Sequence, residues 1–413
     1  MGSRRIGLAR LAGLSAVLFV AGGCGSSNMT WPAFAQRTAS GSSAPSVSSS
    51  ASATLAASAS DKAAAAPSAG RTAAPKASGV RATAAPVTMG KITADYAYKN
   101  TLITPIAHLY GTFLDDFVIA TIKNDNSQSV KVVVTSEITG FTDKAIDTVD
   151  VAAHGSEVVR QNPRLTTAAI DELDSERPAD LHVQVTYLDN GVQKTLLDQT
   201  KATLVTSRRD FPWSIKDMDQ QADFNLLGAM VTPSDPAVEN LIRAAADYDP
   251  TGSMVSGYSS ELDKDNAVYQ RLADLWKAEA ADYKLTYIST TISFAPGQSQ
   301  RIRLPAEVLN QASGNCIELV LLYAAAVEAL GMQPVIVLIP GHAYLGVRTD
   351  DTNDQYYFVE TTMIGQETFD TALTYAGNEY DDAVPHLDAG DQDYGWVSIA
   401  DDRAHGILPI PWR

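Results

Sequence analysis

Gly314-Asn315-Cys316-Ile317-Glu318 opens the stretch that decides the fold of this chain. Behind it Ile317, Leu319, Val320, Leu321, Leu322, Ala324 to Val327 and Leu330 are apolar on nearly every side, as far as Gly331. A helix without a polar face has nothing to turn towards water, so the run predicts a central, buried helix that stops at Gly331. Cys316 then stands at its N-terminus, where unpaired backbone N–H groups and the helix dipole favour thiolate over thiol. A free cysteine is also commonly just a small buried apolar residue, and that reading of Cys316 stands beside the first.

Working outward from the cysteine, Pro334 to Ile339 reads as a buried strand, Pro340-Gly341 as a turn, and His342 as the start of a second strand through Val347. Asp350 to Gln355 is a polar loop, and Tyr356 to Val359 is a third strand that ends at Glu360. Adjacent antiparallel strands bring His342 and Glu360 side by side, and the helix delivers Cys316 against the imidazole. That is a nucleophile, a base and an orienting acid, the logic of covalent acyl transfer. Glu318 reads as a first-turn helix acid and Asp354 as a loop acid that competes with Glu360. The expected triad is Cys316, His342 and Glu360, with Gln300 as a candidate polar contributor beside it.

Upstream of the cysteine, from residue 230, the apolar period is helical. Ser234-Asp235-Pro236 supplies an N-cap candidate with Pro at the first helical position, and Val238, Leu241, Ile242 and Ala245 follow on one face. A second helix is expected over Ala267 to Ala281, then an extended segment from Tyr287 to Phe294. Helix, strand, strand, strand carrying Cys, His and acid in that order resembles the transglutaminase-like (papain-like) superfamily. The blocks Arg303-Leu304-Pro305, Glu307-Val308-Leu309, Gly314-Asn315-Cys316, Leu330-Gly331, Pro340-Gly341-His342-Ala343, Glu360-Thr361-Thr362 and Gly406-Ile407-Leu408-Pro409 are similar to a bacterial family whose module often precedes a helicase-like portion. No such portion is expected within this sequence. The chain departs from that family at Asn315, Ile317 and Glu318, where Thr, Leu and Asp are usual, at Ser299 and Ser398, and at Glu360, where the superfamily usually has Asp. The resemblance implies an α+β transglutaminase-like domain over residues 230–413 acting on amide bonds of a protein or peptide through a thioester. It implies no cofactor.

Residues 91–205 read differently. Short alternating runs such as Phe117 to Ile122, Val130 to Val134 and Leu181 to Tyr187 are strands, and Asp189-Asn190-Gly191 ahead of Val192 to Leu197 signals a tight hairpin. An all-β, Ig-like sandwich is expected. His108, His154 and His182 stand alone in sequence, without metal-ligand spacing, and are expected on the surface or in packing, as are His386 and His405.

The N-terminus is an address. Arg4, Arg5 and Arg10 precede an apolar run from Leu11 to Ala21, and Ala21-Gly22-Gly23 leads to Cys24. The run is too short to span ~30 Å of hydrocarbon as a helix, and the small-small-Cys ending resembles a bacterial lipobox with Ala21 in the usual Leu place. The expectation is a lipoprotein signal peptide over residues 1–23 and a lipid on Cys24 that holds the exported protein to a membrane, facing the periplasm or exterior. Residues 24–90 are expected to be a disordered tether, because 37–86 are dominated by Ala, Ser, Thr, Pro and Gly and cannot bury enough surface to offset ordering entropy. With Cys24 lipidated, Cys316 has no disulfide partner, since the chain holds only 2 cysteines. Two cysteines and scattered histidines give no zinc pattern, so no metal is expected. A net charge of −17 without a basic stripe excludes a nucleic-acid surface. Two functions remain open: a cell-envelope peptidase, amidase or acyltransferase, and a catalytically silent scaffold built on the same fold.

Overall fold

A computed structural model describes residues 64–65, 81–213, 224–259, 264–289 and 299–411. The expected signal peptide, its Cys24 and nearly all of the expected tether lie outside the described residues. The protein is mixed α/β with several antiparallel sheets. Among the described residues no helix is long and apolar enough to cross a membrane.

After β1 (Ala64–Ala65), which joins a sheet completed much later, the chain forms β2 (Ala82–Thr83), β3 (Val87–Met89), β4 (Ile92–Tyr98), β5 (Thr101–Leu102), β6 (Val118–Asn124), β7 (Val130–Ile138), β8 (Ala145–Val151) and β9 (Ser156–Gln161). A one-and-a-half-turn helix α1 (Thr167–Glu172) leads to the long hairpin β10 (Arg177–Asp189) and β11 (Val192–Val205). One sheet runs β2-β4-β6-β9 with β3 also on β4; the other runs β5-β11-β10-β7-β8, antiparallel except for the β5–β11 pair. Alternation decides the core: Ile92, Ala94 and Tyr96 of β4 are buried together with Leu181, Val183 and Val185 of β10, while their neighbours face outward. The hairpin turns at Asn190 (φ 52°) and Gly191 (φ 81°), the two positive-φ positions that the Asn-Gly pair predicts.

This β unit begins earlier than residue 91. Val87, Thr88 and Met89 pair with Ala94, Thr93 and Ile92 across Gly90, and Ala82 and Thr83 pair with Tyr98 and Ala97. Two and three residues long and little buried, these strands leave no apolar pattern, because their place is fixed by backbone hydrogen bonds at a sheet edge.

The remaining elements are β12 (Asp210–Pro212), α2 (Pro236–Ala245), α3 (Lys264–Lys277), β13 (Thr286–Tyr287), β14 (Ser299–Arg301), α4 (Pro305–Gln311), β15 (Ser313–Gly314), α5 (Cys316–Ala329), β16 (Pro334–Ile339), β17 (His342–Arg348), β18 (Gln355–Val359), α6 (Phe369–Ala389), β19 (Gly395–Ser398) and α7 (Ile399–Ala404). Asp235 caps α2 by accepting from Ala237 N–H at 2.8 Å, with Pro236 at the first helical position, as its sequence predicts. The helix expected over Ala267 to Ala281 is α3, and its last turn widens to π geometry at Ala278–Asp282. Of the extended segment expected from Tyr287 to Phe294, the described part is β13, which lies parallel to β15; residues 290–298 lie outside the described residues.

The C-terminal sheet has the order β1-β18-β17-β16-β19, antiparallel throughout. It is covered on both faces. Ile336, Leu338, Ala343, Leu345 and Val347 share a core with α5, whose residues from Cys316 to Val327 are all buried. Val335, Val337, Tyr344, Tyr356 and Phe358 point the other way, against Ala376, Tyr380 and Ala383 of α6. There the Phe358 and Tyr380 rings stack with centroids 4.0 Å apart.

Candidate active site

The start of α5 is fixed by a reciprocal cap. Asn315 Oδ1 accepts the Glu318 N–H at 3.0 Å, and Glu318 Oε2 accepts the Asn315 N–H at 3.0 Å. Arg303 completes the clasp, donating from its backbone N–H, Nε and Nη2 to the Glu318 carboxylate at 2.9, 3.0 and 2.6 Å. Glu318 is therefore more than a first-turn acid: it locks the preceding segment to the helix and so sets where Cys316, the first helical residue, stands. Cys316 is wholly buried. Its backbone N–H is among the leading amides a helix cannot satisfy from within.

His342 begins β17 and Glu360 follows β18. By alternation with Tyr344 and with Phe358, both fall on the face that α6 covers. His342 Nε2 lies 2.7 Å from Glu360 Oε2, and the other Glu360 oxygen accepts from the Thr362 N–H at 2.9 Å and from the Thr362 hydroxyl at 2.5 Å. The Cys316 thiol acts on the same ring, raising the imidazole through hydrogen bonding and charge. The expected triad Cys316, His342 and Glu360 is thus one connected set.

Its electrostatics follow from the pairing. Burial alone pushes His342 down, but the Glu360 charge and the hydrogen bonds to Cys316 and Glu360 outweigh it, and the imidazole is held well above its ordinary value. Burial alone pushes Glu360 up, and the charge and hydrogen bond of His342 with the two Thr362 donors hold it below the usual carboxylate value. The pair is imidazolium beside carboxylate.

A fourth group, unread in the sequence, completes the site. Glu379 of α6 brings Oε2 to 3.9 Å from His342 Nε2. Burial first, then the Glu360 charge, pushes its pKa up to about 8. Donor atoms of His342, Glu360 and Glu379 lie within 4.8 Å of one another, a spacing that metal ligands also show. Both Glu360 oxygens are already taken by protein donors, so the grouping reads as a hydrogen-bonded network.

Gln300, the candidate polar contributor, is held through its carbonyl. It sits on β14 opposite Phe211, and its Oε1 accepts the Trp213 indole N–H at 3.2 Å; its buried Nε2 has no hydrogen-bond partner among the described residues. Asp354 pairs with Arg348 at 2.5 Å, which removes it as a rival to Glu360. His108 Nε2 meets the Leu408 carbonyl at 2.8 Å, His386 pairs with Asp391 at 2.6 Å, and His405 Nδ1 lies 2.7 Å from the Asp401 carbonyl. These three are structural contacts, as their sequence settings suggest.

No protein-family model matches the chain, and no curated protein does. Among solved structures, a protein from Archaeoglobus fulgidus aligns over 31% of this chain and 95% of its own at 11% identity and a TM-score of 0.19. The solution structure of a late embryogenesis abundant protein aligns over 31% of this chain and 71% of its own at 12% identity and a TM-score of 0.17. Likeness at that level bears on neither fold nor function.

Proposed function

We propose that this chain is an exported, lipid-anchored protein whose residues 230–413 form a transglutaminase-like cysteine module acting on amide bonds of proteins or peptides, with residues 91–205 as an Ig-like sandwich beside it. The observation that carries the catalytic reading is His342, held between the Cys316 thiol and the Glu360 carboxylate at the N-terminus of a buried helix. In that reading the Cys316 sulfur attacks an amide carbonyl, and the Cys316 backbone N–H is one donor to the developing oxyanion. His342 holds the thiol proton and gives it to the departing amine, leaving a thioester on Cys316. Glu360 keeps the ring in orientation and stabilises the imidazolium. Water then makes the reaction a hydrolysis, and an amine makes it a transfer. The lipid anchor rests on residues 4–24 of the sequence alone.

A second reading has its own support: the Cys316 side chain has 0% exposure, so substrate reaches it only if the cover moves. A catalytically silent binding module on the same fold would keep it that way. The rate of Cys316 alkylation by iodoacetamide against pH separates the two. The enzyme reading expects fast alkylation with a plateau well below the ~8.5 of an ordinary thiol, lost in His342→Ala. A slow rate that follows an ordinary thiol and ignores the substitution leaves the scaffold.

A further inference from the structure

On the reading of this site as a thiol, imidazole and carboxylate triad, we infer that Glu379 is its positioning residue: protonated, it donates a hydrogen bond that holds Glu360 against His342, and it withdraws that bond when it ionises. Ala376 and Tyr380 turn their side chains to the sheet, and Glu379 lies between them on the flank of that helix face, above the ends of β17 and β18. Its Oε2 is buried and receives no hydrogen bond from a protein donor. One of its oxygens and one of Glu360 lie within 4.8 Å of each other. Two buried carboxyls so close repel when both are ionised, and one of them takes up a proton. Glu360 already accepts from His342 Nε2, the Thr362 N–H and the Thr362 hydroxyl, so Glu360 is the anion and Glu379 the acid.

The groups around Glu379 agree with that assignment. From β17 it faces His342 and Tyr344, whose buried hydroxyl has no partner among the described residues; beyond β18 it faces Glu360; on α6 itself it faces Tyr375 and Asp382. His342 is the one cation in the set, and burial with the Glu360 charge outweighs it, which places the proton loss of Glu379 at about pH 8. Below that pH the imidazole faces one negative charge held in place by a donor. Above it the imidazole faces two charges that repel each other. The site therefore carries an alkaline transition that belongs to Glu379.

The test is nitrogen NMR on the full chain labelled at histidine, with His342 assigned by the loss of its signals in His342→Ala, titrated from mildly acid to alkaline pH. In the unsubstituted protein the His342 Nε2 resonance is expected to pass an inflection near pH 8. Glu379→Gln, which keeps an N–H donor but cannot ionise, removes the inflection; Glu379→Asp keeps it with a displaced midpoint. Signals of His182, His386 and His405 report whether each variant is folded, and if Glu379→Gln disturbs them, Glu379→Asp decides alone, an unmoved midpoint overturning the proposal. Absence of the inflection, or its survival in folded Glu379→Gln, also overturns it. An inflection that depends on Glu379 together with a slowly alkylated Cys316 upholds the positioning role and sinks only the catalytic reading of the site.

Discussion

Two histidines in this protein stand between two carboxylates. His342 has Glu360 at 2.7 Å and Glu379 at 3.9 Å, and His182, on the β10 strand of the N-terminal unit, has Asp198 at 2.8 Å and Glu137 at 3.6 Å. The distances are nearly interchangeable. The surroundings are not: Glu360 is buried to 1% exposure under α6 with a thiol on the far side of its histidine, whereas Asp198 is about half exposed on an open sheet face. Water and salt screen the second group and leave the first to be governed by its own charges. A histidine with its acid is therefore not a site by geometry. Burial, and a thiol acting on the ring, set His342 apart.

The sharpest way to break this comparison is to remove each histidine. His342→Ala should slow Cys316 alkylation at neutral pH by about 10²–10⁴-fold, the span general-base loss covers, while His182→Ala should leave the rate unchanged. Equal rates in all three proteins would make the two constellations alike and end the functional reading. Removing each acid comes next. Glu360→Ala strands a buried imidazole and should cost about 3–5 kcal/mol of unfolding free energy in a denaturant titration, whereas Asp198→Ala should cost less than about 1 kcal/mol.

The smallest and most specific effect is in pH. His342 is raised on folding, so its contribution is full below the unfolded imidazole value of 6.5 and fades as pH rises through its folded value. Glu360 is lowered, so its contribution is full above the unfolded value of 4.5 and fades as pH falls through its folded value. The stability lost in Glu360→Gln should therefore be greatest between those two values and shrink on either side. A flat difference across pH would show that the pair is not ionised as described.

What the sequence discloses and what it conceals divide along the same line. The place of Cys316 follows from an apolar run and a cap, both local, and the approach of His342 to Glu360 follows from two short connections between neighbouring strands. Glu379 is out of reach of such reasoning. It depends on how a 21-residue helix beginning nine residues after Glu360 lies across the sheet, and nothing in the local sequence sets that crossing. The recurrence of Ala372, Ala376, Tyr380, Ala383 and Leu387 at helical spacing, capped by Thr368 and Gly390, does mark the helix and its buried face; Glu379 at the edge of that face was the available signal. Pro385 inside it reads as a break, and the helix nonetheless continues to Ala389. The partner of Gln300 is hidden for a related reason: its neighbouring strand, β12, comes from nearly ninety residues earlier, and that long-range pairing turns its carbonyl to Trp213. The same applies to His182, whose acids arrive across strands, Glu137 directly opposite and Asp198 on the diagonal.

The pairing of β12 with β14 also has a mechanical side. The chain leaves the N-terminal unit into β12, which is laced to β14, and the Ile302 N–H continues the ribbon by donating to the Arg209 carbonyl at 2.8 Å. Arg209 also reaches Glu307 at the start of α4, and Arg303, next along, grips Glu318 in the first turn of α5. A load on the N-terminal unit has in these contacts a route to the first turn of α5. The ribbon loads its hydrogen bonds together rather than singly. The seat of Cys316 is thus mechanically continuous with the N-terminal unit through hydrogen bonds and ion pairs.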